Sequence, residues 1–457
     1  MKFNTDMKLR DLMENEQAVK ILNDVLPGFG AALGKNPQAQ GLSIEQLVGY
    51  AKVPQKEVVL QKLNTELDRL NTSGNTITPR EAKQIETFKA IRAEDLIRKH
   101  SAVNHHQDSI RPGEVWLDTK GERIQAHGAG MFYEDGMYYW YGENKEHTNG
   151  KNGIWTWGIK VYSSKDLMNW DDRGYLIEPV LDDPNSPLFP TNRIDRPHLL
   201  KNDKTGKYVM WIKLSGAAAS FTVWEADTFF GPYTMMKEDY RPGGYKVGDF
   251  DLVKDEKTGM AYLFFDKDHE TMLGMALSDD YLSAAREVSR NYSNLTPPFT
   301  REGPALFEAR GRKYMFTSGM TGYVPNKSDS AVSDSYEKEF HSLGNPHVND
   351  ASHASFNSQI SKVFRVEGTD QWIAMADRWL PEYKVDARIA DLFTRSVAMR
   401  YDPEHYHASK EEVQEMIKAN VFETANTRIS DYIWLPVEWE NDRPVLKWHE
   451  EWRPVHE

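Results

Sequence analysis

Residues 131–143 read MFYEDGMYYWYGE, two aromatic-rich strands that alternate in character on either side of Asp135-Gly136. An Asp-Gly pair between alternating apolar runs is a strong signal for a two-residue β-hairpin. IKVYSS (159–164) follows as a third strand. The same arrangement returns as HLLKNDKTGKYVMWIK from His198, DLVKDEKTGMAYLFFD from Asp251, ALFEARGRKYMFTSG from Ala305 and KVFRVEGTDQWIAMADRW from Lys362. Each block is an apolar strand, a polar turn containing Gly and an aromatic strand. Repetition of one supersecondary unit at a long, fairly regular interval is the mark of radial architectures, so five units predict a five-bladed β-propeller. An irregular β-sandwich is the competing reading.

Upstream of Glu114 the pattern differs, because apolar residues recur at helical spacing and no alternating run appears. Asn15 is placed to cap a helix carrying Val19, Leu22 and Leu26, which Pro27-Gly28 would stop. Ser43 and Gln46 have capping-box spacing ahead of Leu47 and Val48, with a break near Pro54. A third helix would bury Val58, Val59, Leu63, Leu67 and Leu70, and a fourth would run from Pro79 to about Lys99 beyond the loop 71–79. The expectation is a small all-α domain over 1–108 and a propeller over 109–457. Within the propeller, Ser409 and Glu412 form a second capping box before Val413 and Met416, so the segment 384–428 reads as a helical insert, after which YIWLPVEWE (432–440) completes the last blade.

The chain of 457 residues carries 56 basic and 69 acidic side chains, a net charge of −13. It offers no positive footprint for nucleic acid or an anionic membrane. With no cysteine, disulfides, thiolate metal sites and cysteine nucleophiles are excluded. No apolar run is long enough to span a bilayer and no secretory h-region is seen, so the expected location is cytoplasmic. Nucleotide-loop, dinucleotide, zinc-protease and nucleophile-elbow motifs are absent in matching context, which leaves carboxylates as the candidates for chemistry. Asp195 in NRIDRPHLL, Asp249 in VGDFDLV and Glu302 in REGPALF lie at or beside the innermost strand of a blade. A carboxylate beside an apolar strand is costly unless it is paired or used.

Taken together, IQAHGAGMFYEDGMYYWYGE, IDRPHLLKNDKTGKYVMWIK, GDFDLVKDEKTGMAYLFF, REGPALFEARGRKYMFTSGMTGYVPN, FNSQISKVF and MADRW resemble glycoside hydrolase family 43, in its exo-β-1,3-galactanase branch. The resemblance implies removal of a terminal sugar from short oligosaccharides with inversion, β-galactose being expected and L-arabinofuranose or D-xylose being the alternatives. It implies Glu302 as general acid, Asp249 as the aspartate that tunes it (with Asp251 as rival), and Asp195 as a contact to sugar hydroxyls. Gly303 stands where the family usually has alanine. The first inner strand reads Gln125, Ala126, His127, Gly128, without the base aspartate found in most of the family; the branch implies Gln359 in its place. A neutral amide is a weak base, and His127 is the first neighbour to consider as its helper. Gln125, His127, Arg378 and Tyr323 are the further sugar-binding candidates, with Trp155, Trp157 and Trp379 as stacking surfaces. Each also has a plain structural reading: a buried satisfied histidine, an Asp195–Arg196 ion pair, core aromatics. No metal or cofactor is expected, and the helical domain is expected to act, if at all, as a docking or homo-oligomer element. A propeller phosphorylase and a non-catalytic sugar-binding propeller complete the alternatives.

Overall fold

A computed structural model describes residues 3–29, 33, 37–51, 53, 56–72, 77–98, 104–216, 218–383, 386–419 and 425–455. The expected break at Pro54, the centre of the 71–79 loop and the first two residues of the insert lie outside these. Chain contacts define two compact units, one of residues 1–98 with 180–189 and 216–218, the other comprising the remainder.

The helical segments of the first unit are Leu9–Leu12, Glu16–Val25, Pro37–Gln40, Ile44–Tyr50, Lys56–Thr72 and Pro79–Ile97. Asn15 accepts the Ala18 N–H, and Ser43 with Gln46 and Thr78 with Glu81 form complete capping boxes, so local chemistry sets these three starts. Leu9, Leu12, Leu22, Ile44, Val48, Leu63 and Leu67 close over one another as its core. Val58 departs from the expected stripe and is 59% exposed, because the buried face of its helix follows Val59, Leu63, Leu67 and Leu70 at spacings of four, four and three.

The second unit is a five-bladed propeller of four-stranded antiparallel meanders. The blades are β1 (His127–Glu134), β2 (Met137–Glu143), β3 (Ile159–Ser164) and β4 (Asp171–Ile177); β5 (Ile194–Lys201), β6 (Tyr208–Leu214), β7 (Ser220–Ala226) and β8 (Thr234–Tyr240); β9 (Val247–Lys254), β10 (Ala261–Lys267), β11 (Thr271–Leu277) and β12 (Ala284–Asn291); β13 (Arg301–Ala309), β14 (Arg312–Gly319), β15 (Asp329–Ser333) and β16 (His341–Gly344); and β17 (Gln359–Arg365), β18 (Trp372–Arg378), β19 (Asp431–Glu440) and β20 (Arg443–Leu446). The first strands of the blades line the centre, each beside the next, with β17 returning to β1. In the Asp135-Gly136 hairpin both turn residues have positive φ, as its two-residue geometry requires.

Each blade uses consecutive strands, so the ring is closed by other means. Ile110 and Trp452 exchange backbone hydrogen bonds of 2.8 and 3.0 Å, and the Tyr432 hydroxyl accepts the Ala126 N–H at 2.9 Å. Trp116, Trp140, Trp170 and Trp434 pack together at this junction with centroids 4.7–5.9 Å apart. The insert forms the helices Ala387–Tyr401 and Lys410–Lys418, the second started by the Ser409–Glu412 box. Ile389, Leu392 and Met416 bury Val324, so the insert props the loop that carries Tyr323.

All five inner strands hold one residue more than their partners over the same stretch. The register slips at 127–130, 195–198, 247–250, 302–305 and 360–362. An extra residue bends a strand and re-aims its side chains. In the first, second and fourth blades the bulge places Gly128, Arg196 and Gly303 at φ of 54°, 48° and 59°. Gly142 faces the first of these bulges, and a methyl there would lie 2.5 Å from the Ala126 carbonyl carbon and 2.6 Å from the His127 oxygen. Both are backbone atoms and cannot turn aside. Gly142→Ala is therefore expected to cost about 1–3 kcal/mol, as overpacked cores do; an unchanged urea midpoint would contradict the tight β1–β2 contact.

Candidate active site

The bulges turn Asp195, Asp249 and Glu302 toward one centre, where Arg196 of β5 and Lys213 of β6 supply positive charge. Asp249 Oδ1 receives Lys213 Nζ at 2.5 Å and its Oδ2 receives Arg196 Nε at 2.9 Å. Burial would raise this carboxyl, but the charges of Arg196 and Lys213 prevail and hold it well below the usual range, so Asp249 is an anion throughout the neutral region. Glu302 has the opposite fate. Burial, followed by the negative charges of Asp249 and Asp266, pushes it up to about 8. At neutral pH one carboxyl thus carries a proton beside another that does not, the division of labour that acid catalysis needs.

Asp195 is held by the Trp155 indole N–H at 2.6 Å and by the Ser215 hydroxyl. The expected Asp195–Arg196 pair does not form, because the left-handed backbone at Arg196 sends the guanidinium to Asp249 while its N–H goes to Glu143 Oε1 at 2.8 Å. Asp251, the rival to Asp249, is fully buried on Lys362 Nζ at 2.6 Å and the Leu306 N–H at 2.8 Å, and so ties the third blade to the fourth and fifth. Gln359 lies against the acid: its Nε2 donates to Ser318 Oγ at 2.9 Å and approaches Glu302 Oε1 at 3.4 Å, while its Oε1 accepts the Trp379 indole N–H at 3.2 Å. Gly303 explains this closeness. A methyl there would meet Ser318 Oγ, Arg196 Nη2 and Gln359 Nε2 at 3.1–3.3 Å.

Tyr323 stands between Trp155 and Trp379, with ring centroids 6.2 and 5.3 Å away. With Gln359, Asp377 and Trp379 it lines a cavity beside the carboxylates. His127 is placed behind the site: its exposure is 0%, its Nδ1 is 3.0 Å from Asp377 Oδ1, and its Nε2 is 3.2 Å from both Gln125 Oε1 and the Tyr432 hydroxyl. Burial lowers its pKa and keeps the ring neutral. Gln125 is buried beside it, bonded to the Arg428 carbonyl at 3.0 Å. Arg378 is not brought to the carboxylates, since its guanidinium turns to the Gly113 carbonyl at 3.4 Å while the adjacent Asp377 faces inward. Trp157 is fully buried against His147.

Sequence reading missed Glu143, Arg196, Lys213, Asp266, Ser318 and Asp377. Glu143 is buried on Lys145 at 2.6 Å and is raised to about 7 by burial and then by Asp195. Asp266 is raised by burial and bonded to His269 at 2.5 Å. A signal for five of them was present. The aromatic strands end WYGE, MWIK, LFFD, FTS and MAD, each with a polar residue at the same place in the repeat. That place faces the inner bulge in the first four blades, and in the fifth it faces Gln359 just ahead of the bulge.

The chain belongs to glycosyl hydrolases family 43, whose profile matches residues 126–378, more than half of the sequence and the stretch holding Asp195, Asp249, Glu302 and Gln359. Among solved structures it is similar to a family 43 β-1,3-galactosidase at 28% identity and a TM-score of 0.60, over 76% of this chain and 64% of that one. The chain thus spans less than two thirds of that relative's length. A second β-1,3-galactosidase, solved with galactodeoxynojirimycin, is 26% identical with a TM-score of 0.59, over 75% of this chain and 100% of its own. The exo-β-1,3-galactanase of Phanerochaete chrysosporium solved with galactose shares the fold at 23% identity and a TM-score of 0.60, over 76% of this chain and 69% of that one. No match was found among curated proteins.

Because Asp249 raises the Glu302 carboxyl, removing its charge should lower it. Asp249→Asn is expected to move the alkaline limb of the pH–rate profile down by about one unit or more, the scale of a neighbouring-charge effect. A limb that stays in place would separate the two groups electrostatically.

Proposed function

We propose that the propeller hydrolyses the glycosidic bond of a terminal β-linked galactose in short oligosaccharides, with inversion at the anomeric carbon. The observation that carries this reading is the placement of Glu302 near an Asp249 carboxylate paired with Arg196 and Lys213, which with burial raises the Glu302 carboxyl to about 8. A sugar alkoxide is a poor leaving group, and a carboxyl that keeps its proton near neutrality can protonate the glycosidic oxygen as the bond breaks. Asp249 holds that proton in place by charge. Asp195, fixed by Trp155 and Ser215, offers its carboxylate to sugar hydroxyls, and the rings of Tyr323 and Trp379 offer apolar faces for a pyranose. Two relatives above 25% identity bear the description β-1,3-galactosidase, which favours galactose over arabinose or xylose.

Phosphorolysis fits less well. Arg196 and Lys213 are both committed to Asp249, and the carboxylates of Asp195, Glu143, Asp266 and Asp377 surround them. An incoming phosphate would meet a negative field.

Sugar release from p-nitrophenyl galactosides, arabinofuranosides and xylosides, with β-1,3-galactobiose as the natural-linkage probe, tests the assignment. Galactose release without phosphate dependence is expected, falling about 10²- to 10⁴-fold in Glu302→Gln on the disaccharide. Release of arabinose or xylose alone would refute the sugar, and turnover that survives the substitution would refute the acid. A second check is the alkaline limit of the wild type: activity should decline as pH rises through about 8, where Glu302 loses its proton. Full activity well above that value would contradict the role.

A further inference from the structure

An inverting hydrolase also needs a group to take the proton of the attacking water, and the hydrogen bonds of Gln359 leave it poorly suited. Its amide oxygen already accepts from Trp379, and its amide nitrogen donates to Ser318 and Glu302. Gln359 is directly opposed to Asp377 across β17 and β18, and opposed residues project from the same face of a sheet. Asp377 therefore projects from the same face as Gln359, whose amide approaches Glu302 Oε1 at 3.4 Å. Inverting glycosidases keep their carboxyls about 6.5–9.5 Å apart so that a water fits.

Resting on the hydrolase reading, the geometry points to Asp377 as the catalytic base, reaching from the fifth blade into the place that the first inner strand leaves without a carboxylate. Asp377 lines the cavity with Ser358, Gln359 and Trp379, yet is only 2% exposed. Its Oδ1 is bonded to His127 Nδ1 and its Oδ2 accepts the Gly128 N–H at 3.0 Å. A carboxylate has about four lone-pair positions, so two remain for water. The left-handed Gly128 makes that second bond possible by turning its N–H inward. His127, buried and neutral, is a positioning residue: it fixes the carboxylate without neutralising it by full proton transfer.

In the step, a water O–H bond breaks and its proton passes to Asp377, while the water oxygen bonds to the anomeric carbon. The glycosidic C–O bond breaks with its electron pair on the leaving oxygen, which takes the proton of Glu302. Asp377 ends neutral and Glu302 ends as an anion, and exchange with solvent resets both.

The test uses the whole chain and a p-nitrophenyl galactoside, whose good leaving group makes Glu302 less necessary. Asp377→Asn should reduce kcat about 10²-fold or more with little change in KM, as loss of a general base does. Azide, which needs no deprotonation, should restore turnover to Asp377→Ala and yield a glycosyl azide of the anomer opposite to the substrate. Glu302→Gln should not respond to azide in this way. Wild-type kcat in Asp377→Asn would overturn the assignment. So would an azide-insensitive loss in a variant whose melting curve matches the wild type, and should Asp377→Ala melt early, the same reading is taken on Asp377→Gly and Asp377→Ser. A wild type with no turnover on any glycoside would instead remove the hydrolase reading itself.

Discussion

The arrangement of the centre depends on one buried cation. Arg196 is 4% exposed, sits in a left-handed backbone conformation, and feels Asp249, Asp377, Glu302 and Glu143 at once. That conformation costs a side-chain-bearing residue about 1–3 kcal/mol and persists where surrounding structure fixes it. Here the N–H bond to Glu143 and the ion pair with Asp249 supply the fixing. The corresponding positions of the first and fourth blades are Gly128 and Gly303, for which the same φ costs little. A single repeated backbone device thus serves two purposes: glycine lets neighbouring groups come close, and arginine delivers a charge.

That charge decides which carboxyl is acid and which is anion. Asp249 receives both Arg196 and Lys213, whereas Glu302 is partly buried and feels two further carboxyls. Two acidic groups on adjacent blades are driven apart in pKa by environment alone. The helical insert contributes from a distance by packing on Val324, which keeps Tyr323 between the two tryptophans whose indoles bind Asp195 and Gln359.

The propeller was legible because MFYEDGMYYWYGE and its four counterparts each combine a turn and an aromatic strand, a local pattern. The helix starts at Asn15, Ser43, Thr78 and Ser409 are also local, and those read in advance at Asn15, Ser43 and Ser409 coincide with the observed caps. Partnerships across blades were less visible. Arg196 adjoins Asp195 in sequence but binds Asp249, since its φ sign is not written in its identity. His127 looked like a helper to Gln359, and its partner is Asp377, 250 residues away. The polar residue closing each aromatic strand was the available clue, hidden because a single charged strand end reads as solvent-facing.

Infrared difference spectra of the carboxyl band against pH, taken on wild type and Glu302→Gln, test the central claim most directly. A protonated carboxyl that persists through pH 7, disappears near pH 8 and is missing from the variant is the predicted result. A wild type and variant with identical spectra above about pH 5, where ordinary carboxyls are already ionised, would contradict it.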